Sequence, residues 1–157
     1  MATSRGLKKF AARMDEVSSQ ILGTMDVTMR KLALVTDQVA VLATPVDTGR
    51  ARGNWIVTLG EQAAASDNQR TKDKSGNLAL EQARGALGVS LIGGGGRNQK
   101  SGRFQSAVKT IFLTNSVEYV TFLDQGSSRQ APAGMTQQAI TAGLQALNKF
   151  VIYPDKP

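Results

Sequence analysis

One long apolar stripe constrains the fold of this chain more than any other feature. Between Leu7 and Leu42 the apolar residues recur in steps of three and four, which is the spacing of one face of an α-helix. The sequence therefore predicts a single helix about 54 Å long, at 1.5 Å per residue. We expect so long a helix either to bend, for example at Gly23, or to project in part onto a neighbouring chain. Pro45 ends it, because proline cannot continue the hydrogen-bond ladder and restricts Thr44 before it.

Two later segments have the character of strands. Residues 54–59 are rich in β-branched side chains and contain the one Trp, and residues 107–114 alternate between two faces. The polar residues 62–76 between them are predicted to form a loop. Residues 119–123 are predicted to be a short extended or helical piece.

Two further helices are predicted, at 77–89 and 135–151, the first capped by Ser75 or Asn77. The order helix, strand, helix, strand, helix indicates an α+β fold. In it, a long N-terminal helix and a C-terminal helix pack on a small antiparallel β-sheet. We expect one domain over residues 1–157, with 1–6 and 152–157 as extended termini.

Composition excludes several kinds of chemistry. The chain has neither Cys nor His, so thiolate or imidazole metal sites, catalytic triads and disulfides are impossible. No paired-carboxylate motif occurs among its twelve acidic residues. We expect a non-enzymatic protein without a cofactor. With neither a membrane span nor a signal peptide in the sequence, we expect it to be made in the cytoplasm.

Two short motifs permit a catalytic or phosphate-binding reading that their context disfavours. Asp47-Thr48-Gly49 occurs in aspartic proteases, but those enzymes need two such sites in an all-β fold. The four glycines at 93–96 lack the Lys–hydroxyl ending of a phosphate-binding loop and precede a strand. A turn and a hairpin loop are the favoured interpretations.

The net charge of +7 is concentrated in the middle of the chain, where Arg97, Lys100 and Arg103 follow the glycines. These residues could contact DNA phosphates without reading bases, or form a solvated basic loop. Arg50 and Arg52 lie two apart in a turn-rich segment. They could pair with a carboxylate on another chain or be solvated.

Three segments together resemble the phage tail-component family, the minor tail or tail-completion proteins of the lambda minor tail protein Z type. They are Thr44-Pro-Val-Asp-Thr-Gly-Arg-Ala-Arg-Gly-Asn-Trp55 after a long helix, Ile111-Phe-Leu-Thr-Asn-Ser-Val-Glu-Tyr119, and Leu123-Asp-Gln-Gly-Ser-Ser-Arg-Gln-Ala-Pro-Ala-Gly-Met135 before a final helix. The resemblance covers about residues 7–150. Asp124 stands where Glu is more usual in this family, and the glycine-rich basic loop is longer than expected.

The resemblance implies a structural virion protein at the head-proximal end of a phage tail. Such a subunit would form a homohexameric ring, contact other tail and neck proteins, and enable head–tail joining. Its basic loop could then touch genomic DNA in the channel. A tail terminator, another head–tail connector and a non-specific nucleic-acid-binding module remain alternatives. The residues expected at the subunit or partner interface are Asp47, Thr48, Gly49, Arg50, Arg52, Tyr119, Gly126, Arg129 and Pro132.

Overall fold

The computed structural model describes residues 3–63, 73–88, 110–131 and 133–147. Helix α1 runs from Thr3 to Ala43 without interruption, so its 41 residues span about 60 Å. The predicted long helix is confirmed. The expectation that residues 1–6 are extended is wrong for 3–6, because adding residues to an existing helix needs no new nucleus. None of the helices in the described ranges combines the length and the apolarity that crossing a lipid bilayer requires.

The two halves of α1 have different surroundings. Every residue from 6 to 22 is exposed, so this half projects from the rest of the described chain. The second half carries a buried stripe of small and aliphatic residues with one carboxylate among them. The helix continues through Gly23, and the contact of its projecting half with a neighbouring chain stays a prediction. The stripe consists of Ala33, Leu34, Asp37, Ala40 and Val41.

Within the described ranges the sheet has two antiparallel strands, β1 at Ile56–Leu59 and β2 at Ile111–Thr114. Ile56 pairs with Thr114 and Leu59 with Ile111. This confirms the small antiparallel sheet predicted from the sequence. β1 begins later than expected because Asn54 closes a four-residue helix, α2, at Arg50–Gly53, where its Nδ2 donates to the Arg50 carbonyl at 2.8 Å.

Helix α3 spans Asn77–Leu87. Neither Ser75 nor Asn77 caps it in the predicted way, because Gly76 occupies the cap position in a left-handed conformation without a side-chain bond. The Asp73 carboxylate caps the start of α3 instead. It accepts hydrogen bonds from the backbone N–H of Gly76 at 2.9 Å and of Leu78 at 2.8 Å.

Two helices complete the described fold, α4 at Val120–Asp124 and α5 at Met135–Leu147. The predicted continuation of α5 to residue 151 lies outside the described residues, as does the C-terminal tail 152–157. α5 packs along α1, and Gly143 permits this approach because a Cβ there would collide with Thr36.

The core consists of two clusters on the buried stripe of α1. One contains the lone Trp55 with residues of α3 and α5, and the other contains Val57 and Leu87 near the sheet. Because both clusters share α1, the inner half of that helix fixes where the sheet and α3 lie. It also fixes the loops that leave them.

Candidate interaction site

The three segments that carry the family resemblance meet around one groove. We name it the Arg50 groove; its volume is about 450 Å³. One wall comes from the loop between α1 and α2, and the other comes from α4 with the loop that follows it. The lining residues are Pro45, Val46, Asp47, Thr48, Gly49, Arg50, Ala51, Tyr119, Leu123, Ser128 and Gln130.

Two long-range hydrogen bonds hold the walls of the groove together. The backbone N–H of Val46 donates to Oε1 of Gln130 at 3.0 Å. Nδ2 of Asn115 donates to the carbonyl of Ala51 at 2.8 Å, which ties the end of β2 to α2. Both bonds join segments far apart in the sequence, so the groove is a product of the tertiary fold.

Glycine is required at position 49 for two reasons. Its φ of +97° lies in the left-handed region that other residues rarely adopt. In addition, a Cβ there would lie 2.6 Å from the carbonyl carbon of Asp73 and from the backbone nitrogen of Lys74. The loop of the groove thus packs backbone against backbone on the segment that caps α3.

The Arg50 side chain carries a positive charge that no described residue pairs. Its Nε is buried and has no hydrogen-bond partner among the described residues. The salt bridge found in the described ranges joins Arg30 to Asp26, on α1. A guanidinium that no described carboxylate pairs can accept a carboxylate brought by another chain.

Arg52, two residues along, has a different role. Its guanidinium donates to the carbonyls of Thr44 at 2.7 Å, Leu42 at 3.1 Å and Lys74 at 3.2 Å. Burial lowers the pKa of Arg52, and the nearby charge of Asp73 partly offsets that effect. These donors satisfy carbonyls at the C-terminus of α1, so Arg52 is neither simply solvated nor free to bind another chain through them.

The remaining predicted interface residues are scattered around the groove. Asp47 and Thr48 are exposed on its rim, and Tyr119 is exposed on the opposite wall. Gly126 and Arg129 lie in the loop after α4 but do not line the groove. A Cβ on Gly126, at φ +88°, would lie 2.9 Å from the Ala133 Cβ. Four predicted residues lie outside the described residues, namely Pro132, Arg97, Lys100 and Arg103.

Asp124 holds the groove's second wall in place. Its Oδ1 accepts from the backbone N–H of Thr136 at 2.9 Å, and its carbonyl accepts from Gly134 at 2.7 Å. The carboxylate thus caps α5 and fixes the loop between α4 and α5.

Asp37 is a second unusual group, and sequence reasoning did not single it out. Its side chain is fully buried, and in the part of the chain that the structure describes neither carboxylate oxygen has a hydrogen-bond partner. Burial raises the pKa of Asp37 from 3.8 to about 7. The signal was available in the sequence, because Asp37 falls on the same helical stripe as Leu34 and Val41.

The described residues assemble no recognisable catalytic constellation. No group of three or more acidic residues within the described ranges is placed to hold a metal ion. Comparison of the chain with protein-family models, curated proteins and solved structures gave no match. The Arg50 groove brings together one cation, an aromatic side chain and backbone groups, and it is the candidate interaction site.

Proposed function

We propose that this protein is a structural virion subunit of a tailed bacteriophage. It acts at the head-proximal end of the tail, as a tail-completion or neck protein that forms a ring and enables head–tail joining. Alternative positions are those of a tail terminator or another head–tail connector. The protein works by assembly and not by catalysis.

The observation that most supports this proposal is the meeting of the three resemblance segments at one groove. Residues 45–51, Tyr119, Ser128 and Gln130 line the same cavity, although Val46 and Gln130, which share a hydrogen bond there, are 84 positions apart in the chain. Segments that carry a binding surface need this proximity, whereas segments that only share composition do not.

Arg50 gives the groove a chemical preference. An arginine that no described carboxylate pairs favours a carboxylate, which can accept two parallel N–H bonds from the guanidinium. We propose that an Asp or Glu of a neighbouring subunit or of an adjoining neck protein fills this place. Arg52 serves the same surface indirectly by fixing the end of α1 behind it.

The projecting half of α1 also supports an assembly role. Large apolar side chains along it are exposed in the single chain, including Leu7 at 68% and Phe10 at 64%. Exposed apolar patches of this kind usually mark contact surfaces. A subunit that functions inside a larger assembly accounts for both the stripe and the groove.

Disruption of the gene in the phage that encodes it tests the proposal. We expect a lysate of full heads and unjoined tails in the electron microscope, and restoration of joined virions by the wild-type gene in trans. Joined virions in the mutant lysate at the normal yield would contradict the proposal.

Complementation with groove variants tests the mechanism. Arg50→Gln removes the charge and the paired donors, so we expect few joined virions although the protein accumulates normally. Arg50→Lys keeps the charge without the planar donor geometry and should restore joining only in part. Arg84→Gln, an exposed change on α3 outside the groove lining, is the matched control and should complement fully.

A further inference from the structure

The hydrogen-bond pattern of the sheet shows which backbone groups of β2 point away from β1. The N–H of Gly60 donates to the carbonyl of Thr110 at 3.0 Å, one step beyond the paired residues of the two strands. Antiparallel partners alternate between pairs that exchange hydrogen bonds and pairs that do not. Ile111 and Leu113 therefore belong to pairs of the second kind, and their N–H and C=O groups face outward.

The outward edge of β1 is covered by one side chain. Oε1 of Gln82, on α3, accepts from the backbone N–H of Val57 at 2.9 Å, and its Nε2 donates to the Val57 carbonyl at 2.7 Å. The amide thus makes the two bonds that a residue of a third strand would make. Because an open edge is a template for pairing with another chain, Gln82 prevents such pairing at β1.

The outward edge of β2 has no such cover among the described residues. None of their hydrogen bonds involves the backbone N–H or C=O of Ile111 or Leu113. The strand also has neither a charged residue nor a proline, which are the usual protections of an edge. Outward groups on two alternate residues are complementary to the same strand running in the opposite direction.

We propose that β2 pairs antiparallel with β2 of a second copy, about a two-fold axis at Phe112. Ile111 of each copy then exchanges two hydrogen bonds with Leu113 of the other, and the two sheets become one sheet of four strands. Phe112 lies opposite its own copy in a pair without hydrogen bonds, where side chains are closest. This inference goes beyond the proposed function and does not depend on it.

The two faces of β2 suit this pairing. Ile111 and Leu113 pack on the core cluster that contains Val57, so Phe112 lies on the opposite face of the sheet, where it is half-buried. Two phenyl rings side by side at the centre of the pair would cover apolar surface of each other. Because β2 has no charged residue, the two-fold axis brings no charge of the strand against its own copy.

Gln82 also accounts for an assembly that stops at two copies. Copies of a two-stranded sheet could pair β1 with β1, β1 with β2, or β2 with β2. The mixed pair would repeat without closing and would give a fibre. Because Gln82 covers β1, only the pair of β2 strands can form, and its two-fold symmetry uses both open edges at once.

The first test is the mass of the full chain in solution, measured by light scattering over a dilution series. We expect the mass to rise from that of one chain to twice that value. Phe112→Lys and Phe112→Glu each place like charges opposite each other and should be monomeric, whereas an equimolar mixture of the two should form a heterodimer. Phe112→Leu, the matched control, should remain dimeric. A wild type or a mixture that stays monomeric at the highest concentration would overturn the proposal, as would a Phe112→Lys dimer as stable as the wild type.

The second test measures the register, and it uses the absence of cysteine from the chain. Phe112→Cys places two thiols at a pair whose Cα atoms are about 4.5 Å apart, within the reach of a disulfide. Thr58→Cys is the matched control, because Thr58 pairs with Phe112 within the chain and its two copies would lie three strand spacings apart, about 14 Å. On oxidation of dilute protein we expect a cross-linked dimer from Phe112→Cys alone. Equal cross-linking of both variants, or none at position 112, would refute this register.

Discussion

The hydroxyl of Thr44 accepts a hydrogen bond from Nε1 of Trp55 at 2.8 Å and donates its own proton to the carbonyl of Ala40 at 2.6 Å. Thr44 is the residue after the last turn of α1, and Trp55 directly precedes β1. One buried hydroxyl thus joins the end of the long helix to the start of the sheet. The loop between them forms one wall of the Arg50 groove.

Thr44→Val should destabilise the protein by about 1 to 3 kcal/mol, because the buried indole N–H loses its acceptor. Trp55→Phe removes the donor as well as part of the packed ring, so its cost adds a packing term. In a double-mutant cycle by urea denaturation, we expect the Thr44→Val penalty to shrink when Phe occupies position 55. Strictly additive penalties would show that this bond contributes nothing.

Asp37 should make the protein less stable as the pH rises. Burial raises the pKa of Asp37 to about 7 in the folded state, against an ordinary value of 3.8. Between these values the folded chain holds a proton that the unfolded chain releases, so the free energy of unfolding falls with increasing pH. The total loss is about 4 kcal/mol, complete slightly above pH 7.

Urea denaturation between pH 4 and pH 8 checks this prediction. Asp37→Asn cannot ionise, so it should lose most of the decline and exceed the wild type in stability at pH 8. Glu81→Gln, which removes an exposed acid from α3, should keep the wild-type profile. A wild-type stability that is flat or rising across this range would contradict the buried-carboxylate interpretation.

Substitution by Gln should lower the stability of the protein at Arg52 and leave it nearly unchanged at Arg50. Arg52→Gln removes charged donors from three carbonyls, so we expect a loss of about 1.5 to 3 kcal/mol in stability. Arg50→Gln breaks no hydrogen bond of its side chain to described residues, and the change should stay within about 0.5 kcal/mol. Thermal denaturation of the two variants side by side measures the contrast. Equal losses would mean that Arg50 has an intramolecular role.

Asp73→Ala should cost about 1 to 2 kcal/mol, since it leaves two N–H groups at the start of α3 without their acceptor. Burial alone would raise the pKa of Asp73, but hydrogen bonds from Ser75 and from the backbone outweigh it and lower the pKa. This contribution is therefore present at neutral pH and is lost on acidification. Chemical denaturation at neutral and acidic pH should show the penalty shrinking at low pH. A penalty independent of pH would contradict a charged cap.

The parts of the fold that could be predicted from the sequence are those that a local periodic pattern of apolar residues specifies. The stripe from Leu7 to Leu42 repeats often enough to specify α1. The alternation over residues 107–114 indicates the strand found at Ile111–Thr114, whereas residues 107–109 lie outside the described residues. The cap of α3 could not be predicted this way. Gly76 adopts a left-handed conformation, which moves the capping role to Asp73, outside the usual cap position.

The candidate site, too, could be predicted from the sequence only in part. Its segments could be named from the sequence, but their convergence depends on long-range bonds such as Asn115 to Ala51. The different roles of Arg50 and Arg52 could not be predicted from the sequence either. Both lie in the same short motif, and only the position of the end of α1 decides which guanidinium meets backbone carbonyls.

The exposed half of α1 is also a mechanical lever. About 30 Å of α1 extends beyond the described domain, which packs against the second half of the helix. A tilt of about 10° at the point where the helix leaves the domain moves its tip by about 5 Å, roughly one helical turn. Packing changes around Thr28 and Arg30, too small to alter the domain itself, would thus be amplified at the far end. Substitutions at Thr28 or Arg30 should change the position of the helix tip without changing the core.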